Sequence, residues 1–293
     1  MIQRHAFEAM GTDVEFLLVG DERAENRAAL WAAEAEMRRL ETMLTRFDPD
    51  SELSRLNRDK VIEASPELLK VTQLALVGRV RTGGRFDPTV HDALVAAGYD
   101  RTFAEVPTDA QSAPTGELAR CGGSVTVDLA KRTVALEADT SLDFGGIAKG
   151  YAVDLACGLL SEAGACLVNA GGDLAVQGLF DGDPWPIGIE TATETITIGL
   201  ERGAVATSGR DRRRWLRGGR ELHHIIDPAT GRPAETDLLR VSVVAATSCE
   251  GEVLAKAFFL AGEERARFEA DELGVPSVLV TTDGRTVIAG GLA

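Results

Sequence analysis

Residues 251–262, GEVLAKAFFLAG, are the segment that most constrains the fold. Between Val253 and Gly262 the one polar side chain is Lys256. A helix that is apolar almost all round must be buried, so other elements have to cover it on every side. Glu252 lies one turn before Lys256 and shares a face with it. An exposed Glu–Lys pair is the alternative, but the apolar neighbours favour a partly buried pair matched to each other or to a bound ligand.

The periodicity of the remaining chain predicts interleaved strands and helices. Strands are predicted at 12–19, 124–129, 132–137, 166–169, 173–178, 185–190, 195–200, 221–226, 239–245 and 276–282, and helices at 23–45, 65–82, 147–163 and 250–262. The order is not a strict βαβ alternation. We therefore expect an α+β fold with mixed or antiparallel sheets in two lobes. The mixed, polar stretch 102–120 is predicted to be a surface connection.

Charge and cysteine usage exclude several classes of protein. The net charge is −15, and so acidic a chain would be repelled by nucleic acids and anionic membranes. The four cysteines form no C-x-x-C pair, which disfavours a zinc or thioredoxin-type site. No apolar run is long enough to span a membrane, and the N-terminal residues lack the apolar core of a signal peptide. These features predict a cytoplasmic protein that binds neither nucleic acid nor a membrane.

Of two Gly-Gly turns in the sequence, at 145–146 and 171–172, the first is a candidate for holding an anion. Gly145-Gly146 precedes a helix, where glycine lets the backbone approach a ligand and the helix N-terminus presents N–H groups. Lys149, in the first turn, adds a positive charge suited to a phosphate. A plain glycine turn with a surface lysine is the alternative. The second turn ends at Asp173, for which a hydrogen bond within its own turn is the favoured interpretation.

Two histidines and three Asp-Pro pairs complete the set of polar candidates. His223 and His224 are neighbours on a predicted strand, so only one of them can face a pocket. Histidine is the natural base near neutral pH, although a structural histidine is the commoner case. Each Asp-Pro pair suits a turn or helix cap better than catalysis: Asp48-Pro49, Asp87-Pro88 and Asp227-Pro228.

These segments, in their order along the chain, resemble the ApbE family of FAD:protein FMN transferases. The resemblance rests on Met10-Gly11-Thr12, RFDPDSELSRLN, GRFDPTV, LDFGGIAKGYAVD, VNAGGDL, ATSG, HHIIDPATGRP and the helix with Glu252. It implies one flavin transferase domain over 1–293, with a two-lobed, T-fold-like α+β architecture and FAD between the lobes. It also implies a reaction that cleaves the FAD pyrophosphate, releases AMP and attaches FMN through a phosphoester to a Ser or Thr hydroxyl of a partner flavoprotein. Magnesium normally offsets the phosphate charge.

The same resemblance implies roles for single residues. FAD contacts are expected at Met10, Phe47, Phe86, Asp87, Asp143, Lys149 and Ile225. Phe47 stands where the family often has Tyr or Trp, which preserves an aromatic ring. His224 matches the base that takes the proton of the acceptor hydroxyl. Gly146 matches the residue whose carbonyl faces the metal.

The metal position departs from the family's pattern. The usual Asp-x-x-x-Thr pair of oxygen ligands is replaced by Glu252 and Lys256. Glutamate can coordinate magnesium, whereas an ammonium has no lone pair and would compete with the cation. We therefore hypothesise that Lys256 supplies fixed positive charge to the pyrophosphate and replaces magnesium partly or wholly. Two other functions stay open, an FAD pyrophosphatase that yields FMN and AMP, and an FAD-binding paralogue without activity.

Overall fold

The computed structural model describes residues 1–107, 109–110 and 120–292. Its helices are α1 (Ala24–Leu44), α2 (Glu52–Asp59), α3 (Pro66–Arg81), α4 (His91–Ala96), α5 (Ala148–Ser161), α6 (Ser248–Ala261) and α7 (Glu263–Leu273), with a 3-10 turn at Phe103–Glu105. Its strands are β1 (Ile2–Ala9), β2 (Thr12–Val19), β3 (Val61–Glu63), β4 (Asp109–Ala110), β5 (Val125–Asp128), β6 (Thr133–Leu136), β7 (Cys166–Ala170), β8 (Asp173–Gln177), β9 (Trp185–Glu190), β10 (Thr195–Leu200), β11 (Arg202–Gly209), β12 (Arg214–Arg217), β13 (Arg220–His223), β14 (Ile226–Asp227), β15 (Arg232–Pro233), β16 (Leu238–Ala245), β17 (Ser277–Thr281) and β18 (Thr286–Ala289). Much of the predicted surface connection at 102–120, namely 108 and 111–119, lies outside the described residues.

The chain divides into two compact units, each built from separated segments. The first unit contains Met1–Glu41, Ile147–Ser208 and Asp237–Ala293, and the second contains Thr42–Gly146 and Gly209–Thr236. Helices are combined with mostly antiparallel sheets, so the predicted α+β class is confirmed. Within the described ranges, none of the helices has both the length and the apolar character that a membrane span requires.

An eight-stranded sheet organises the first unit, in the order β1-β2-β7-β8-β11-β16-β17-β18. The helices α5 and α6 pack on each other, α5 against β7 and β8, and α6 against β16. The β9–β10 hairpin buries Trp185 and Ile187 against Leu167 and Val176 of the sheet. Burial of one such side chain contributes about 1.5–3 kcal/mol. The packing of α6 against α5 and β16 explains why α6 is apolar almost all round, as its sequence predicts.

Short elements and three small sheets make up the described part of the second unit, one of them the β14–β15 pair. One sheet has the order β3-β6-β5, and β12 pairs with both β13 and β4. Its apolar core includes Leu94, Tyr99, Trp215 and Ile226. The indole of Trp215 donates a hydrogen bond to the Ala97 carbonyl at 3.1 Å, so its polar atom is satisfied inside the core.

Two predictions of strands need correction. The predicted strand 221–226 is interrupted, because β13 ends at His223 and β14 begins at Ile226. The predicted last strand at 276–282 is β17, and β18 follows it at the sheet edge. A β-hairpin explains the second error, since Gly284 at φ +85° supplies the left-handed turn between the two strands. The four predicted helices are confirmed with ends within two residues.

Candidate functional site

Lys149 lies in a buried cluster of charges in the first unit. Its ammonium is ion-paired with Asp173 and lies 4.0 Å from Oε1 of Glu252. The carboxylates are buried, with Asp173 1% exposed and Glu252 3% exposed. Asp173 Oδ1 accepts a hydrogen bond from the Thr207 N–H at 2.8 Å, and Glu252 Oε2 accepts one from the Gly150 N–H at 3.0 Å. Four of the motifs therefore meet in one place.

The motif that carries Lys149 also fixes the position of α6. A Cβ at Gly150 would lie 2.7 Å from backbone atoms of Ser248 and Cys249, so only glycine permits this approach of α5 to α6. Asp154, one turn later, accepts the N–H groups of Ser248 and Cys249 at 2.7 and 2.9 Å and caps α6. Burial raises the pKa of Asp154 to about 6, and nearby carboxylates add to the rise.

The donor set around Glu252 does not fit a magnesium ion held by residues 252 and 256. One oxygen of Glu252 accepts an N–H, and the other faces the ammonium of Lys149. Lys256, half-buried one turn along α6, has no lone pair to offer. Among the described residues, no group of three or more His, Cys, Asp or Glu side chains is arranged to hold a metal ion. A divalent cation bound to Glu252 would lie close to the Lys149 ammonium, and the two positive charges would repel each other.

A second set of motifs meets at Leu142 and Asp143 in the second unit. The Asn57 side chain brackets Leu142, donating to its carbonyl at 2.8 Å and accepting its N–H at 2.7 Å. The Asp143 N–H donates to the Pro88 carbonyl at 2.8 Å, and its carboxylate pairs with Arg46 at 2.7 Å. Asn57, Pro88 and Asp143 come from three different motifs. Hydrogen bonds between these motifs hold them together in the fold. The predicted metal neighbour Gly146 follows in the turn before α5.

The predicted FAD contacts of the second unit differ in exposure. Phe47 is 37% exposed, whereas Phe86 is buried. The carboxylate of Asp87 is engaged on both oxygens, by the N–H and hydroxyl of Thr89 and by Arg79 at 3.1 Å. Their contacts to FAD stay predictions. All three Asp-Pro aspartates accept the N–H two residues on, as turn residues do: Asp48, Asp87 and Asp227.

The two neighbouring histidines have different surroundings. His223 is buried, with Nε2 2.9 Å from the Ala234 carbonyl and Nδ1 accepting the N–H of Ile225 at 3.3 Å. Burial lowers its pKa, which keeps the ring neutral. His224 is half-buried, and its Nδ1 lies 3.4 Å from the Arg213 carbonyl. If Nδ1 carries the proton, Nε2 has the lone pair of a base. His224 is thus better suited to proton transfer, while Ile225 is buried in the chain beside it.

Met10 lies in a strained turn between β1 and β2. The pairing of Ala9 with Thr12 leaves two turn residues, Met10 at φ +54° and Gly11 at φ +67°. This left-handed conformation suits Asn or Gly and is unfavourable for methionine. The Met10 N–H donates to the Glu41 carboxylate, which helps to hold the turn. Backbone strain of this kind is often found at functional sites, and the contact of Met10 with FAD stays a prediction.

The fold and these clusters define a flavin transferase-like protein of the ApbE family. The family's sequence profile matches residues 10–279, and the chain belongs to this family. An FAD:protein FMN transferase of Treponema pallidum is 30% identical over 92% of this chain and 81% of that protein. One from Rhodobacter capsulatus is 32% identical over 97% of this chain and 56% of its own length. The crystal structure of the ApbE protein from Thermotoga maritima superposes with a TM-score of 0.88 at 27% identity, covering 99% of this chain and 97% of that one.

Sequence reasoning missed three residues that organise the clusters. Asp173 does not bond within its own turn; it bonds to Thr207 and Lys149. Asp154 caps another helix, and Arg46 pairs with Asp143. Each acts through a partner distant in sequence, which local patterns do not reveal. The available signal for Asp173 was that two Gly-Gly turns of the chain, Gly145-Gly146 and Gly171-Gly172, each have an aspartate close by.

Proposed function

We propose that this protein transfers FMN from FAD to a Ser or Thr hydroxyl of a partner flavoprotein. The observation that carries the proposal is the match to the ApbE family over residues 10–279. The names of the relatives support it, and so does the hydrogen bonding of the motif residues to one another in two buried clusters. FAD is the substrate, and the acceptor protein supplies the hydroxyl.

The proposed step breaks one phosphoanhydride bond and forms one phosphoester. The acceptor hydroxyl oxygen attacks the phosphorus on the FMN side of FAD. The bond from that phosphorus to the bridging oxygen breaks, and AMP leaves with the electron pair. The hydroxyl proton passes to His224, whose ring the Arg213 carbonyl orients through Nδ1. Water in place of the hydroxyl would give free FMN and AMP.

In this proposal, lysine ammonium groups offset the negative charge of the pyrophosphate. Lys149 is held by two buried carboxylates, Asp173 and Glu252. These ion pairs fix the position of the Lys149 ammonium, and its side chain is 19% exposed, so it stays accessible to an anion. Lys256 lies one turn from Glu252 on the same helix and supplies the second positive charge. The transfer then depends less on magnesium than is usual in the family, because an ammonium occupies the position of a metal ligand.

Incubation of the full chain with FAD and a candidate acceptor domain, with and without magnesium, tests these statements. Covalent flavin fluorescence on the acceptor together with AMP is the expected result. AMP with free FMN and no labelling would establish a pyrophosphatase, and intact bound FAD would establish a binding protein. His224→Ala is expected to lose labelling and keep FAD binding.

The role of Lys256 has its own control. Lys256→Ala should lower activity and increase the dependence on magnesium, because the fixed charge is gone. Arg265→Ala, an exposed cation on the neighbouring helix α7, serves as the matched control and should change neither quantity. Full activity of Lys256→Ala with an unchanged magnesium titration would contradict this part of the proposal.

A further inference from the structure

Arg46 lies in a wedge between two aromatic rings of the second unit. The centre of its guanidinium is 4.2 Å from the centroid of the Phe47 ring and 4.6 Å from that of the Tyr99 ring. The two centroids are 5.8 Å apart, and the ring planes are inclined at 50°. The Arg46 side chain is only 5% exposed, so these cation–π contacts form away from water, where such contacts are strongest.

A single ion pair anchors the guanidinium in this wedge. Nε of Arg46 donates to Oδ2 of Asp143 at 2.7 Å. Nη2 of Arg46 is buried and has no hydrogen-bond partner among the described residues. Hydrogen bonding alone would not select this position, because a buried donor without an acceptor is costly. The two ring faces and Asp143 therefore define where the guanidinium lies.

Phe47 is the exposed member of the group. Phe47 is 37% exposed, whereas Tyr99 is buried and packs on Trp215 with ring centroids 5.6 Å apart. Arg46 and Tyr99 thus form a fixed backing behind a half-open ring. A phenylalanine without such backing would rotate about its side-chain bonds and lose entropy on stacking with a ligand.

We propose that Arg46 is a positioning residue that holds the Phe47 ring as a preorganised stacking platform for a flat ring system of FAD. The inference rests on the proposed function only in taking FAD as the ligand. Arg46 acts through Phe47 and does not itself contact FAD. Preorganisation of this kind raises affinity because the ordering cost is met before the ligand binds.

A double-mutant cycle on FAD affinity in the full chain separates this role from direct contact. Arg46→Met should raise the Kd for FAD about 10-fold, the loss expected for a desolvated cation–π contact. Phe47→Leu should raise it at least as much. The double variant should match Phe47→Leu within about twofold, since Arg46 has no effect once the ring is absent. Arg265→Met removes an exposed cation 5.5 Å from the Phe268 ring and should leave the Kd unchanged.

A spectroscopic readout and competing ligands complete the test. If the isoalloxazine is the stacked ring, both single variants should lose the shift in the visible flavin band that accompanies stacking; if the adenine is, that band should be the same in all variants. If FMN binding weakens in parallel, the isoalloxazine is the stacked ring; if ADP binding weakens in its place, the adenine is. Where Arg46→Met does not fold, Arg46→Lys replaces it, with a smaller rise in Kd because the charge is kept.

Two results would overturn the inference. One is an unchanged Kd in the Arg46 variants, and the other is a double variant whose Kd rises by the product of the single effects. These outcomes are distinct from failure of the proposed function. A wild-type chain that transfers FMN but gives a multiplicative cycle refutes only the role of Arg46, whereas a chain that does not bind FAD refutes both.

Discussion

Gly150→Ala should destabilise the protein, although alanine is the better helix former. The added Cβ would lie 2.7 Å from three backbone atoms of Ser248 and Cys249, all belonging to the N-terminus of α6. Backbone atoms cannot rotate away as a side chain can, so α6 must move. Overpacking of this kind costs about 1–3 kcal/mol, and the higher value applies where backbone must shift. Helix propensity returns about 1 kcal/mol, which leaves a net loss of about 2 kcal/mol.

The same helix provides a matched control at Gly158. A Cβ there meets nothing within 4 Å, and the position is exposed. Gly158→Ala should therefore stabilise the protein by about 0.5–1 kcal/mol through propensity alone. The same Gly→Ala substitution thus lowers the free energy of unfolding at Gly150 and raises it at Gly158, because only Gly150 lies against another helix.

Urea unfolding followed by circular dichroism measures both free energies, and FAD affinity measures the effect on the site. Gly150 also donates its N–H to Glu252, so a displaced α6 should separate Glu252 from Lys149 and weaken FAD binding. Gly158→Ala should leave that affinity unchanged. A Gly150→Ala variant as stable as Gly158→Ala would refute the argument that close backbone approach requires this glycine.

Three further variants test other parts of the structure. The raised pKa of Asp154, about 6 against 3.8 in the unfolded chain, means that its contribution is present below about pH 4 and is lost as the pH rises through 6. Relative to Asp154→Asn, the wild type should lose about 3 kcal/mol between pH 4 and pH 7 in urea titrations; a difference independent of pH would contradict this. Met10→Asn should raise stability by about 1 kcal/mol, measured by thermal unfolding, because asparagine tolerates φ +54°; a lower melting temperature would argue against strain. Lys149→Met should cost about 3 kcal/mol by leaving carboxylates unpaired, and adding Asp173→Asn should restore part of it; no restoration in urea unfolding would mean that the ion pair is not the cause.

Local patterns predicted the longest helices and many strands, but they missed β1, β11 and three of the helices, and they did not predict the contacts between elements. The helix from 65 follows from Ser65 as cap and Pro66 in the first turn, and the Ser65 hydroxyl does accept the Leu68 N–H. The interruption after His223 could not be predicted, because it depends on a hydrogen bond to Ala234 on another segment. The position of Arg46 could not be predicted either, because it depends on the carboxylate of Asp143 and on two aromatic rings, and two of these three partners are distant in sequence.

For the candidate site too, the sequence predicted local features and not the contacts between distant segments. The glycines and Lys149 in LDFGGIAKGYAVD made this segment a candidate anion site, with a plain glycine turn as the alternative, and the anion site stays a prediction. Which carboxylates would surround the lysine was not visible, since Asp173 and Glu252 enter from a strand and a helix far along the chain. Hydrophobic periodicity fixes which face of an element is buried, and it carries no information on which polar groups meet across a packed interface.

The strand order of the first unit has a consequence for synthesis on the ribosome. In the sheet, β11 has β8 on one side and β16 on the other, but β16 follows β11 only after the segment Gly209–Thr236 of the second unit. While that segment is being made, the outer edge of β11 carries unpaired backbone groups beside an already assembled half-sheet. Such an edge is a template for pairing with another chain. Nascent chains halted before Leu238 should therefore associate with one another or recruit chaperones, and release of a few dozen further residues should end that exposure.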